Sequence, residues 1–508
     1  MPSYLYFFFA AAVLIVGYTI YSRVIDKIFG PDPNNPTPAT TMADGVDFVK
    51  MPPLKLFLIQ LLNIAGIGPI FGPILGALYG PWALVWIVAG SIFAGGVHDY
   101  FSGMLSARSG GRSIPDVVGE NLGYFFKQFM RVFSVVLLLL VGVVFVTAPA
   151  GMLTSLSNEF LTNLFNLPAE TAAKTVMLGW VVVIFLYYFL ATLLPIDKII
   201  GPIYPIFAII LLIMAVGVLG GLIVKGYEFY PGAAFVNQHP KGIPLWPLMF
   251  VTIACGALSG FHATQSPMVA RCIPDEKCGR SVFYGAMIAE GLIALIWATA
   301  GMTFFYSPEN GTSAVQGLFN FLAANNDNPG AFVNHISIAL LGPIGGILAI
   351  LGVVVLPITS GDTAFRAARL TIADTVGLSQ KKNINRLFVA IPLFAVGIAL
   401  TNVDFTIIWR YFGFANQALA TVVLWTAAAY VVRTGSKLHW LISIPATFMT
   451  SVCMAFIAYS PIGFGLSFDY ASKVGIGGAI AALVIFLLFG NKFRANPVKK
   501  PKPTSQEF

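Results

Sequence analysis

Four ionisable side chains stand inside stretches that are otherwise apolar: His98 and Asp99 in one, His262 in a second and Glu290 in a third. Such residues are expensive away from water and are candidate functional sites, with proton carriage the chemistry for His98, Asp99 and Glu290 and substrate contact that for His262. Asp99 or Glu290 can hold a transported proton, and His98 can relay it, since imidazole titrates close to physiological pH. Neighbours on a helix point about 100° apart, so His98 and Asp99 do not both face one ligand, and one of them serves structure. For Glu290 the competing role is a hydrogen bond that ties helices together. For His262 it is an imidazole bonded to a freed carbonyl.

His262 belongs to Trp246–Ile273, WPLMFVTIACGALSGFHATQSPMVARCI, a run long enough to cross a bilayer whose centre carries Gly256, Ser259, Gly260, Gln265, Ser266 and Pro267. Backbone at membrane depth must satisfy its own hydrogen bonds, so such a centre is viable only inside protein or beside a polar cavity. Ser266 as N-cap with Pro267 at the first helical position reads as the start of a second half-helix. Leu54–Gly80 has the same design, breaking at Asn63, Gly66, Gly68 and Pro69. Paired interruptions of this kind point to the binding site of a secondary transporter. A half-helix that begins at mid-depth aims free N–H groups and its positive dipole end into the cavity, which attracts anions. A substrate carboxylate is therefore expected near Gly66, Gly68, Gly260 and Ser266, with Asn63, His262 and Gln265 completing its contacts. The glycines at 68, 72, 76 and 80 fall four apart, which equally suits close helix packing without a ligand.

The elements that position these residues follow from composition. Hydrophobic residues make up 57% of the 508 and charged residues 10%, against roughly 25% charged in a soluble domain. Runs of about 20 apolar residues fall near 3–23, 54–80, 81–107, 129–151, 175–195, 199–224, 246–272, 280–306, 335–361, 386–403, 405–432, 438–459 and 472–490. Of the 29 lysines and arginines, only Lys174, Lys225, Lys241 and Lys473 fall in loops of one side, with Arg410 inside a span. All others share the opposite side, which the positive-inside rule makes cytoplasmic. The N-terminus is then outside and the C-terminus inside, and residues 1–25 read as a retained span rather than a signal peptide. The net charge of +8 follows this topology, so no nucleic-acid partner is implied. Four cysteines without a CxxC pair indicate neither a disulfide framework nor a zinc site.

The interrupted spans are the second and the seventh. Five is odd, so equivalent spans of the two groups run in opposite directions. The expected fold is an all-α polytopic membrane protein of about thirteen spans with a ten-helix inverted-repeat core. Residues 1–53 hold the first span and a cytoplasmic loop, 54–224 the first repeat, 246–432 the second, 438–494 two further spans, and 495–508 a disordered tail.

DGVDFV at Asp44–Val49, NIAGIGPIFGPILGALYG at Asn63–Gly80, FAGGVHDY at Phe93–Tyr100 and ACGALSGFHATQSPMVAR at Ala254–Arg271 resemble the signatures of the carbon starvation protein A (CstA) family. The resemblance covers roughly residues 40 to 430. It implies cation-driven uptake of peptides, or in some members pyruvate, across the bacterial inner membrane, on a core similar to the amino acid-polyamine-cation superfamily. Gln60 and Asn63 stand where longer members carry a His-His-Phe run. Sodium is the competing coupling ion: the Leu356 carbonyl with the Thr359 and Ser360 hydroxyls forms an i, i+3, i+4 oxygen set suited to a hard cation. The resemblance to sodium-coupled relatives adds the carbonyls of Ile64 and Ile67 as its other half. Hydroxyls bonding back to their own helix is the plainer account, and Asp362 pairs equally well with Arg366 one turn on.

No HExxH, GxSxG, P-loop or GxGxxG occurs, so enzyme readings fail. The remaining function is a symporter importing short peptides, alternatively pyruvate or another small carboxylate, with a channel as the rival class. Neither a resident cofactor nor an obligate protein partner is implied; the partners are the bilayer, the solute and a co-transported H+ or Na+.

Overall fold

The computed structural model describes residues 3–495 except 46, 194–195, 233, 308, 310 and 381, and of 193, 196–205, 491–492 and 494–495 it describes the backbone alone. The expected tail lies outside the described residues. Helices dominate, and among the described residues no β-strand forms beyond one bridging pair, Ser307 and Thr312. Among the described residues eleven helices are long and apolar enough to span a membrane, and the bent pair Pro53–Ile64 and Gly68–Tyr79 makes a twelfth. Leu245–Thr252 and Gly260–Ala270 are each too short to cross alone. Together they occupy the seventh expected span.

The first broken span bends by 51°. Pro53 opens its first half and Pro69 lies in the first turn of its second, where neither missing N–H is needed. Its glycine row packs on the second broken span. A Cβ on Gly68 would lie 2.3 Å from Cys255 Cβ, one on Gly72 3.0 Å from the Thr252 carbonyl, and one on Gly76 2.4 Å from Ile253 Cδ1. The two interruptions therefore meet at backbone distance, which only glycine permits.

The second interruption is not where Ser266 and Pro267 suggest. The chain leaves the helix at Ile253 and re-enters it at Gly260, and Gly260–Ala270 runs unbroken with Pro267 in its interior. The break is set by tertiary contacts instead. Gly256 takes a φ of +89°, and a Cβ there would lie 2.6 Å from Ala294 Cβ. Ser266 is thus a helical residue whose hydroxyl bonds back to the His262 carbonyl at 2.9 Å, a habit of serine inside membrane helices.

The third span, Trp82–Arg108, widens into a π-turn at Ser91–Gly95, and the eighth, Glu276–Gly301, does so at Arg280–Tyr284. Such wide turns recur at functional sites. The fourth span, Tyr124–Phe165, has 42 residues and the ninth, Pro329–Val376, has 48. Both exceed the lengths expected from hydropathy, because polar turns continue each helix past its apolar run. At about 1.5 Å per residue they reach some 60–70 Å, although Gly342, at φ 70° and ψ −178°, divides the ninth. The two pack along one another and form the wall against which the broken spans sit. The eleventh span, Phe405–Arg433, closes the core on the other side of Gly260–Ala270.

Candidate functional site

Gly260–Ala270 carries His262 toward the third span, just beyond the π-turn that sets the orientation of His98 and Asp99. Asp99 lies between two imidazoles: His98 Nδ1 stands 2.7 Å from Oδ1, and His262 Nδ1 stands 2.9 Å from Oδ2. The other ring nitrogen of His262 is 3.3 Å from Glu290 Oε2 on the eighth span. That is ion-pair distance with angles short of a hydrogen bond, since neither atom has a hydrogen-bonded partner. All four side chains are 0% exposed. His98, Asp99 and Glu290, named for proton carriage, thus form one chain through three spans with His262, named for the substrate; Asp99 faces the second broken span and His98 lies behind it. Ser102 and Ser266 hydroxyls join the same two helices at 3.0 Å.

The second break is closed by side chains that sequence reasoning did not single out. Trp86 Nε1 donates to the Ile253 carbonyl at 3.2 Å and Ser91 Oγ to the Gly256 carbonyl at 3.0 Å. Asn416 Oδ1 accepts from Ser259 Oγ at 2.8 Å and from the Phe261 amide at 2.9 Å. Asn416 therefore caps the half-helix whose free amides were expected to meet a carboxylate. This corrects the expectation for Gly260, which itself packs against the eleventh span: a Cβ there would lie 2.5 Å from the Asn416 carbonyl. The signal was available, since Asn416 and Gln417 are a polar pair inside an apolar span.

The first break is organised differently. Gly66 backs onto the Phe145 ring, where a Cβ would lie 2.5 Å from Cζ. Asn63 is fully buried, and so is Gln60, whose amide oxygen and nitrogen both lack a partner. Gln265 is also buried; its Nε2 donates to Thr264 Oγ1 at 3.2 Å while its Oε1 has no partner.

The oxygens considered for sodium are brought close but are engaged. Thr359 Oγ1 donates to its own Leu356 carbonyl at 2.8 Å, and Ser360 Oγ donates to the Leu62 carbonyl at 3.0 Å. The Ile64 carbonyl accepts from Gly66 N at 2.9 Å, and the Ile67 carbonyl from Phe71 N at 2.8 Å. Ser360 thus joins the ninth span to the first broken span through Leu62, a carbonyl not in the expected set.

Two interrupted helices packed break against break, with buried carboxylates and imidazoles beside them, define the class: an all-helical membrane transporter, not an enzyme. The fold matches the solved structure of MhsT in complex with L-phenylalanine at a TM-score of 0.56 and 15% identity, over 88% of this chain and 99% of that one. The family model described as carbon starvation protein CstA matches residues 3–177, 160–316 and 316–456, and the chain belongs to that family. An uncharacterized membrane protein of Haemophilus influenzae is 49% identical over 342 residues, covering 60% of this chain and 92% of that one. The peptide transporter CstA of Bacillus subtilis is 27% identical over 86% of this chain and 87% of its own length. The pyruvate/proton symporter BtsT of Escherichia coli is 28% identical over 56% and 47%.

Proposed function

We propose that this chain is a symporter of the bacterial inner membrane that imports short peptides by alternating access, with the proton as its coupling ion. Its Lys/Arg-rich face lies in the cytoplasm, with the N-terminus outside. The observation that supports proton coupling best is the buried chain His98, Asp99, His262 and Glu290, held at 2.7, 2.9 and 3.3 Å. With two protons already shared among the two carboxylates and two imidazoles the chain is neutral, and a third proton on groups at 0% exposure leaves an uncompensated positive charge, which costs several kcal/mol. A substrate carboxylate at the first break, on the amide end of Gly68–Gly76 and the side chains of Gln60 and Asn63, offsets that charge. Each solute therefore lowers the cost of the other, which is the physical content of symport.

A second reading, pyruvate as the solute, is favoured by one feature. Both oxygens of Asp99 are already bonded to imidazoles, which leaves that acid only half of its acceptor capacity for a peptide ammonium. The sodium set at Ile64, Ile67, Leu356, Thr359 and Ser360 gives the rival coupling ion, because hydroxyls that donate to carbonyls keep lone pairs for a cation.

The test is uptake into proteoliposomes of labelled dialanine and labelled pyruvate, each under an imposed pH gradient or an imposed sodium gradient. Dialanine accumulation driven by the pH gradient alone is expected, and His262→Ala and Asp99→Asn are expected to abolish it while folded protein remains. Accumulation driven only by sodium, or near-normal uptake by both variants, rejects proton coupling through this chain. Conductance without accumulation makes the protein a channel.

A further inference from the structure

At the basic face, a narrow cavity opens between the second half of the second broken span, the fourth span and the ninth span. It is lined by Ser113, Ser134, Thr264, Pro267, Arg271 and Thr371, among others, and its volume of about 20 Å³ accommodates one water. Thr264 is two residues from His262, and Arg271 lies seven further on, about 10 Å along a helix. The cavity thus runs from the edge of the buried proton chain toward the basic surface.

Among the described residues, neither arginine at its wall makes a direct ion pair. Arg271 is 9% exposed and held in place: Nε donates to the Gly111 carbonyl at 2.8 Å, and the guanidinium lies 5.2 Å from the centre of the Phe48 ring. No carboxylate among the described residues forms an ion pair with it. Arg369, beside the lining residue Leu370, is 2% exposed, has no partner at Nε and lies within electrostatic range of Arg271. Of the nearby acids, Asp116 is taken by Lys127 at 2.7 Å and Arg131 at 3.4 Å, while Asp374 lies within electrostatic range of Arg271 and Asp47 within that of Arg369, neither close enough for an ion pair. Ser134, 1% exposed and lining the same cavity, has a hydroxyl with no partner. Buried charges are paired and buried hydroxyls bonded, so this set lacks an anion that also accepts a hydrogen bond.

We infer that the cavity is a release site for the substrate carboxylate on the basic side, with Arg271 as its counter-ion and the Ser134 hydroxyl as a donor. The planar guanidinium fork suits a carboxylate, and pyruvate and a peptide C-terminus share that group. The inference rests on the transport reading above. The cavity has room for one water in the conformation described, so a carboxylate leaving the first break pairs with Arg271 in the state of the cycle that opens this path to the basic side.

The experiment uses the full chain in inside-out and right-side-out vesicles, with the KM for dialanine and for pyruvate measured from each face. Arg271→Gln is expected to raise the KM about tenfold from the basic face and less than about twofold from the other, with Arg271→Lys restoring part of the loss. Ser134→Ala removes no protein hydrogen bond, so it tests the site even if Arg271→Gln does not fold; a loss of about threefold, again from the basic face alone, is expected. Equal change from both faces, or none, overturns the release site. A second readout needs no transport: acetate is expected to raise the melting midpoint of the purified wild type and not of Arg271→Gln. A wild type stabilised by acetate that takes up neither solute keeps the anion site and rejects the transport reading. A wild type that transports while its Arg271→Gln variant responds to acetate unchanged rejects the site.

Discussion

The two interrupted spans solve one problem in opposite ways. The second leaves the helix for seven residues, Ile253–Ser259, yet its Ile253 and Gly256 carbonyls and the Phe261 amide after it are taken by Trp86, Ser91 and Asn416. The first departs for only Ala65–Ile67, and one turn before it Gln60 has a buried amide with no partner at either atom. Backbone and amide groups away from water need partners. Where the protein supplies them, a break is architecture that aims His262; where it withholds them, a solute can supply them. Shape alone does not mark a binding site: the loop of the second break is closed by protein groups, and its unmet atoms, Gln265 Oε1 and His262 Nε2, lie on the half-helix that follows.

Substitutions at matched positions break or sharpen this contrast, and the largest effect belongs to the glycines. Gly256→Ala meets both a left-handed backbone, about 1–2 kcal/mol, and a neighbour at 2.6 Å, about 1–3 kcal/mol more. Gly66→Ala meets only the Phe145 ring, so melting in detergent should fall distinctly further for Gly256→Ala. Equal losses would mean that the second break is no more rigidly specified than the first. Next come the amides. Asn416→Ala is expected to cost about 1–3 kcal/mol by leaving the Phe261 amide unbonded, whereas Gln60→Met should leave melting unchanged and raise the KM for transport about tenfold. Normal uptake by Gln60→Met would remove the first break from substrate binding.

The smallest effect is a control on pH. His239, in the loop opposite the basic face, has its imidazole pushed down to about 4 by burial and by Lys241 beside it. A folded pKa below the unfolded value of about 6.5 means stability that is full above that value and lost as pH falls from there toward 4. His239→Gln should therefore flatten the acid limb of the melting profile while leaving the pH dependence of uptake unchanged. A shifted uptake profile would show that the buried chain is not the sole proton site.

Much of this arrangement was legible in the residues, and the reasons for the misses are specific. Ionisable groups in apolar runs are rare enough that His98, Asp99, His262 and Glu290 stand out, and the structure joins all four. The positions of the spans follow from hydropathy and from the uneven Lys/Arg distribution. The site of the second break does not, because Ser266 with Pro267 looks the same at a helix start as in a helix interior. What decided it was the packing of Gly256 on Ala294 and the cap from Asn416, residues distant in the chain. Gln60 was equally visible in sequence, but its lack of a partner exists only in three dimensions. The long fourth and ninth helices extend through polar turns that hydropathy cannot register.

The glycine row of the first broken span has a bearing on which solutes fit. Gly68, Gly72 and Gly76 press so tightly on residues 252–255 that this wall has no slack to yield to a bulkier guest. The opposite wall is one aromatic ring, Phe145, set edge-on to Phe261 at 5.7 Å. Under the binding mode proposed for the first break, selectivity by size would rest on this side chain of the fourth span, and trimming that ring is the shortest route to a variant with a wider diet.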